Sequence, residues 1–316
     1  MNSARTPGRV SVVVLNWNSE ALGAAAVASA LAQTWSDVEV VVVDNASTDD
    51  SLDQILGVDP DAVVVRNTTN LGFGGGMNSG IAAATGEFVL PLNCDAELHP
   101  GYVTTLMPAF AADDRLGAAG GCVRSERAGD TGPQRITPVM RTVALPIETA
   151  GPAQKLNGAC PLLRQVALDD VAAVAGRDRG RPYDDTYFVY GEDVDLAHSL
   201  HACGWTLHFD PVAIAEHVRS FGSSPRLADR RGRLRISTLH NRHRNIVRHG
   251  PAPWPAVAAF AFLQDAGFVA IRVVRGDFRI VPDMAKAWWG VPRTLLSDVT
   301  YRRRLRRRAE MGNSAH

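Results

Sequence analysis

Glu87-Phe88-Val89-Leu90-Pro91-Leu92-Asn93-Cys94-Asp95-Ala96-Glu97 is an apolar run that ends in two acids spaced by one residue. A short apolar run of this kind reads as a buried strand of an α/β sheet. Carboxylates carried to the end of such a strand stand where ligands bind in open α/β folds. Two acids at this spacing suit a divalent cation on a diphosphate, and a solvated acidic turn is the plainer reading of the same residues. The flanking sequence decides between them.

Upstream, Ala62 to Arg66 reads as a strand, and Asn67 to Gly80 as the loop and helix start after it. Its centre, Asn70-Leu71-Gly72-Phe73-Gly74-Gly75-Gly76-Met77-Asn78, contains G-x-G-x-G. A dinucleotide loop follows the first strand of its fold, whereas these glycines follow the third. They are read either as letting backbone approach a nucleotide sugar or as close helix packing. Before them, Val38 to Val43 is a second buried strand that ends in Asp44-Asn45-Ala46-Ser47-Thr48-Asp49-Asp50. There Asp44 can accept from a base N–H, and Ser47 or Thr48 is expected to cap the next helix. The first strand, Val10 to Leu15, turns through Asn16-Trp17-Asn18 into Ser19, an expected N-cap for an Ala-rich helix that ends near Gln33. Four strand–helix alternations predict a mostly parallel sheet with right-handed crossovers.

Downstream, His99 to Asp113 reads as a helix and Leu116 to Val123 as a strand. Residues 124–154 carry little pattern and suit an acceptor-side loop. Leu156 to Leu163 is a short apolar element, and Asp169 to Arg181 a polar excursion after a helix. Next comes Tyr183-Asp184-Asp185-Thr186-Tyr187-Phe188-Val189-Tyr190-Gly191-Glu192-Asp193-Val194-Asp195-Leu196. Three acids within four residues fit a helix N-terminus, whose dipole favours negative charge. Glu192 and Asp195 share a face and Asp193 points about 100° away, so one acid can act as a general base while another holds structure. Tyr187, Phe188 and Tyr190 beside them suit a wall against a sugar ring. Trp205 to Phe209 and Val212 to Ala215 read as two strands, closing on Glu216-His217, where His217 is either structural or a metal ligand.

The chain has 316 residues, 46% of them hydrophobic, which excludes a disordered chain. Its net charge is zero but divided. From Arg219 onward there are 20 Lys/Arg against 6 Asp/Glu, and the first 218 residues hold 13 against 27. An acidic body followed by a basic tail is expected, the tail facing anions. Cys94, Cys122, Cys160 and Cys203 lie far apart, which fits free thiols better than disulfides or a zinc site. Met1 to Arg9 is short and polar, so no signal peptide is expected. The most apolar late stretch, Ala256 to Val274, is interrupted by Gln264, Asp265 and Arg272, so no clean membrane span is expected.

Together these strings resemble family-2 inverting glycosyltransferases of the GT-A fold, and are most similar to bacterial rhamnosyltransferases that use a thymidine-diphosphate sugar. The resemblance covers about residues 10 to 222 and includes His217 with its trailing Gly222-Ser223. It implies a Rossmann-like, mostly parallel sheet flanked by helices over residues 1–222, with a basic helical region over 223–316. It also implies that a deoxyhexose moves from a nucleotide donor, dTDP-sugar first and UDP-sugar second, to a glycan or polyprenyl-linked acceptor. On the donor side the implied residues are Leu15 at the nucleobase, Asp44 accepting from it, and Asn16, Asn45, Gly72, Asn78 and Asn93. Asn93 stands at the first acid of the family's D-x-D pattern. Asp95, with His217 as a second ligand, would hold Mg²⁺ or Mn²⁺. Asp193 would be the general base, with Tyr190 and Glu192 on the acceptor. A nucleotidyltransferase is a rival reading, but Asn16-Trp17-Asn18 is not the basic glycine loop it needs; a non-catalytic scaffold of the same fold is another.

Beyond Gly222 the residues stand on their own. Arg226 to Arg248 is basic and His-rich, and includes Arg230, Arg231, Arg233, Arg235, Arg242, Arg244 and Arg248. Apolar stretches with Trp254, Phe260, Phe262, Phe268, Trp288 and Trp289 follow, and then Arg302-Arg303-Arg304-Leu305-Arg306-Arg307-Arg308. Aromatic faces interleaved with arginine suit helices at an anionic membrane surface over residues 226–308, which would make the protein cytoplasmic and peripheral on the plasma membrane. The other reading is an appendage packed on the body or forming a homodimer. No nucleic-acid reading module accompanies the arginines.

Overall fold

The computed structural model describes residues 5–125, 129–217 and 228–313. Four parallel strands form one half of the main sheet: β1 (Thr6–Asn16), β2 (Val38–Asp44), β3 (Val63–Arg66) and β4 (Gly86–Asn93), in the order β3-β2-β1-β4. Side chains alternate across a strand, so the valine run of β1 feeds two cores. Val12 and Val14 pack with Ala26, Val27 and Ala30 of α1 (Leu22–Leu31). Val13 packs with Met77 and Ile81 of α3 (Gly72–Ala83) on the opposite face. α2 (Ser51–Val58) lies beside α1. Burial on both faces explains why these strands lack polar alternation.

The second half is mixed. β6 (Leu116–Arg124) and β11 (Thr206–His217) are parallel, β10 (Leu162–Arg164) is antiparallel between β4 and β6, and β5 (Ala96–Leu98) is antiparallel to β11. α4 (Tyr102–Ala112) covers this half. Within residues 124–154 the chain forms a small hairpin, β7 (Gln134–Ile136) with β8 (Thr142–Ala144), followed by β9 (Gly151–Pro152) on β11.

Several local expectations are corrected. Ser19 is not the cap of α1: Ala21 holds that position, and Ser19 Oγ donates to Asn16 Oδ1. Neither Ser47 nor Thr48 caps α2, which starts after Asp50. Ser47 Oγ instead accepts from Asn16 and Asn18, tying the first two strand ends together. The stretch from Asp169 is half helix: α5 (Gln165–Ala175) buries Ala167, Leu168, Val171 and Ala172, and its acids Asp169 and Asp170 accept from Arg179 and Trp205. The two expected late strands are one strand, β11, whose register shifts between Asp210 and Ile214. Pro211 cannot donate to the ladder, and Val212 N donates back to Asp210 Oδ1, so the sequence pattern breaks where the strand only bulges.

Three helices follow α6 (Glu192–Ala202): α7 (Ala228–His249), α8 (Trp254–Val274) and α9 (Ile280–Asn313). Residues 218–227, with Gly222 and Ser223, lie outside the described residues, as do the side chains of Arg230, Arg231 and Arg233. Of the α7 arginines expected to face lipid, Arg242, Arg244 and Arg248 point inward. Arg248 donates to Asp298 at 2.6 Å and Asp195 at 3.1 Å and also reaches Asp184, and Arg244 bonds Asp298. Arg242 and His243 hold Asp265 at 2.6 and 2.9 Å. Removing one partner from such a buried pair costs about 3–5 kcal/mol, so these contacts hold α7 to α8 and α9 and, through Asp184 and Asp195, to α6 and the segment before it. By length and composition alone α8 is apolar enough to cross a bilayer, contrary to the expectation for that stretch, since its apolar residues outweigh Asp265 and Arg272; Asp265 itself is buried in the protein.

Candidate active site

The ends of β1 and β2 meet in register, Asn16 opposite Asp44. The buried Asn16 Nδ2 donates to Asp44 Oδ1 at 3.3 Å and to the hydroxyls of Ser47 and Ser51. Ser47 N also donates to Asp44 Oδ1, so both bonds fall on one carboxylate oxygen. Asn45 holds the glycine loop to the sheet edge, donating to Asn70 Oδ1 and Gly72 O and accepting from Leu71 N. Asn78 is fully buried and clamps Tyr183 through both its backbone groups, at 2.9 and 3.0 Å. The carboxamides of Asn16, Asn45 and Asn78 are therefore used inside the protein, while Leu15 and Asn93 are only partly buried at the same edge.

The glycines follow the packing reading. Gly72 has φ +73°, and a Cβ there would lie 2.3 Å from Phe188 O. A Cβ on Gly76 would lie 2.5 Å from Leu15, and on Gly80 2.3 Å from Val13. α3 thus lies close on β1 and on the segment that leads into α6.

Strand pairing builds the second cluster. β5 and β11 place His217 opposite Ala96, so its ring reaches Asp95. His217 Nε2 lies 3.2 Å from Asp95 Oδ1. Contact with the carboxylate raises the imidazole above its ordinary pKa against the effect of burial. Apart from this ionic contact, Asp95 Oδ1 is buried with no hydrogen-bond partner. An unsatisfied carboxylate oxygen beside an imidazole fits two ligands of a divalent cation, the others coming from phosphate oxygens and water. Among the described residues no third His, Cys, Asp or Glu joins them.

The third cluster is the first turn of α6, which starts from Gly191 at φ +91°. Its three acids are divided by their partners. Although burial works to raise it, Arg248 and His249 hold Asp195 well below the usual carboxylate range, so it belongs to the ion-pair network. Glu192 is buried with Oε2 unpartnered, and burial and then the charge of Asp193 push it up to about 8. Asp193 alone is substantially open, 33% exposed. Its Oδ2 lies 2.6 Å from Lys155 Nζ and its Oδ1 accepts from Val194 N.

Lys155 was not among the residues singled out from the sequence. Its buried ammonium donates to Gln134 Oε1 and Leu156 O besides meeting Asp193, so all three of its donors are used and it is held rigid. One signal was present: the chain has two lysines among its 33 basic residues, and this one lies three positions before Gly158.

The clusters adjoin. Asn93 N donates to Ala159 O at 2.9 Å, and the Cβ position of Gly158 is 3.3 Å from Asp193. The Tyr190 phenol is raised by burial and by the charges of Glu192 and Asp95, so it lies between base and metal clusters. Asn241 of α7 fixes its backbone by donating to Val189 O and Tyr190 O. The expected aromatic wall loses a member: Tyr187 is fully buried, its hydroxyl on Asn245 and its ring under Arg244, whereas Phe188 and Tyr190 keep 51% and 39% of their surface open.

A sheet edge that carries an acid beside a histidine thus adjoins an open carboxylate on a helix N-terminus. The family model "Glycosyl transferase family 2" matches residues 11–171, just over half of the chain. The chain belongs to glycosyl transferase family 2. An uncharacterized glycosyltransferase of Nostoc sp. is 38% identical over 112 residues, 34% of this chain and 35% of the relative. The N-acetylglucosaminyl-diphospho-decaprenol L-rhamnosyltransferase of Mycobacterium tuberculosis is 26% identical over 222 residues, 60% of this chain and 69% of that enzyme. The chain therefore spans about a third of the first relative and about two thirds of the second. The GT-A fold is shared with S. aureus TarS 1-349 in complex with UDP-GlcNAc, at TM-score 0.61 and 16% identity over 96% of this chain and 92% of that one. The mannosyltransferase PcManGT from Pyrobaculum calidifontis, in complex with GDP-Man and Mn²⁺, aligns at TM-score 0.54 and 19% identity over 97% and 87%.

Proposed function

We propose that the protein is an inverting glycosyltransferase that moves a deoxyhexose, rhamnose, from a dTDP-sugar to a sugar linked to a polyprenyl diphosphate, with UDP-sugar as the second choice of donor. The observation that carries this reading is Asp193, the open acid of the α6 turn, adjoining the Asp95–His217 pair through Asn93 and the 157–159 loop. The acceptor class and the sugar are supported by the name of the mycobacterial relative. The work of such an enzyme at the inner face of the plasma membrane follows from a lipid-linked acceptor.

In this reading Asp44 accepts from the base through Oδ2, the oxygen opposite its internal bonds, and Leu15 lines the base. Asp95 and His217 would hold Mg²⁺ or Mn²⁺, which would offset the charge that develops on the leaving diphosphate. Tyr190 and the neutral Glu192 border the acceptor. Asp193 takes the proton of the attacking hydroxyl as that oxygen bonds to the anomeric carbon in one in-line displacement, and the diphosphate leaves from the opposite face. Lys155 at Oδ2 and Val194 N at Oδ1 hold the carboxylate in place throughout.

Asp193→Asn should lower transfer by at least about 10²-fold while a dTDP-sugar still raises the melting temperature as in wild type. Lys155→Met should also lower transfer, with donor binding kept. Unchanged transfer in Asp193→Asn overturns the assignment of the base. No transfer by wild type with any nucleotide sugar favours a non-catalytic protein of this fold.

A further inference from the structure

The C-terminal helices turn an apolar surface outward that nothing in the described chain covers. On α8, α9 and the loop between them, Leu263, Val274, Phe278, Trp289 and Leu296 are between 66% and 87% exposed. Single exposed apolar residues are ordinary, but this many on one helical hairpin are not. The loop forms a cleft lined by Arg275, Gly276, Asp277, Phe278 and Arg279, so an exposed aromatic ring sits between two arginines.

Charge identifies the occupant. Every aspartate between residues 254 and 309 is engaged by an arginine: Asp265 by Arg242 at 2.6 Å, Asp277 by Arg272, Asp283 by Arg235 at 3.3 Å and Asp298 by Arg248 at 2.6 Å. The charged side chains left exposed over these residues include Arg275, Arg279, Lys286, Arg293 and Arg303, all cationic. Apolar residues among cations, with the acids folded inward, match the interface of a bilayer that contains anionic lipid. A second copy of the chain would bring the same cations toward one another.

We propose that the α8–α9 hairpin is the membrane-docking element, with Val274 and Phe278 entering the lipid and Arg275 and Arg279 on lipid phosphates. The surface is the hairpin and not the basic helix α7, whose arginines Arg242, Arg244 and Arg248 are buried in the protein. Docking lies in the plane of the membrane. For α8 to cross, Asp265 would have to leave Arg242 and His243 and carry its charge into hydrocarbon. The inference complements the reading of a lipid-linked acceptor, but its test needs neither donor nor acceptor, so the two fail separately.

Full-length protein is sedimented with vesicles of phosphatidylcholine alone and with vesicles that also contain phosphatidylglycerol. Wild type should follow the anionic vesicles, less so as salt rises, with a blue shift of tryptophan emission that Trp289→Phe reduces. Arg275→Gln and Arg279→Gln should each weaken binding about five-fold. Val274→Ser with Phe278→Ser should weaken it at least about 10-fold. Arg135→Gln, at an exposed position of β7, should leave it unchanged, and an unaltered melting temperature shows that each variant is folded. Four results would overturn the proposal: no sedimentation with anionic vesicles, an equal loss in Arg135→Gln, a dimer in sedimentation velocity that Leu296→Ser dissociates, or resistance to carbonate extraction from membranes, which marks a spanning helix.

Discussion

Glu192→Gln should stabilise the protein, and by more at alkaline than at acidic pH. Glu192 is 8% exposed, its Oε2 has no hydrogen bond, and burial beside Asp193 moves it from 4.5 to about 8. The sign follows from proton counting. Between those two values the folded state keeps a proton that the unfolded chain has released, so stability falls as pH rises through that window. At 1.36 kcal/mol per unit, the carboxyl costs roughly 1 kcal/mol at about pH 5 and roughly 4 kcal/mol at about pH 8. Glutamine has nearly the same shape and no charge, and it gives up no bond at Oε2. The variant should therefore gain about 3 kcal/mol more over wild type at pH 8 than at pH 5. For a chain of this size that is on the order of 4–5 °C in melting temperature. Differential scanning fluorimetry of both proteins at the two pH values measures it. In an Asp193→Asn background the gain should shrink, because the neighbouring charge is the second cause of the shift. An equal offset at both pH values, or a variant less stable at pH 8, would refute the reasoning.

Two further outcomes follow from the same structure. Arg248→Met removes the shared partner of Asp184, Asp195 and Asp298 and should cost about 3–5 kcal/mol in calorimetry. Burial opposes it, but Arg248 and Arg244 hold Asp184 down at about 2, so its stabilisation is present above the ordinary 3.8 and is lost as pH falls through 2. In the variant acid unfolding should begin at a higher pH, and an unmoved acid limit would remove this pairing from the account. Asp95→Asn and His217→Ala should each abolish the extra donor-induced thermal shift that Mn²⁺ provides, with the metal-free shift retained. A normal Mn²⁺ increment in both variants would mean that the cation is held elsewhere.

The sequence by itself determined the parallel half of the sheet and the family resemblance, and it named Asp95, Asp193 and His217 as candidates. Valine runs with no polar alternation specify strands buried on both faces, and strand ends that switch abruptly to Asn, Asp and Ser mark a ligand edge. Those signals are local and survive without knowledge of the neighbours. The partners came only from tertiary structure. The glycines of α3 read equally well as ligand approach or as packing, and Phe188, Leu15 and Val13 at the positions of their missing Cβ atoms decide for packing. The α7 arginines read as a lipid-facing surface because Asp184, Asp195 and Asp298, which bury them, lie 50 to 64 residues away. Lys155 is 38 residues from Asp193 in sequence and 2.6 Å from it in space. Periodicity and spacing report which face a residue turns along its own element. Which charges meet across elements depends on how β10, α6 and α7 are stacked, and that stacking is set by the long-range packing of the whole chain.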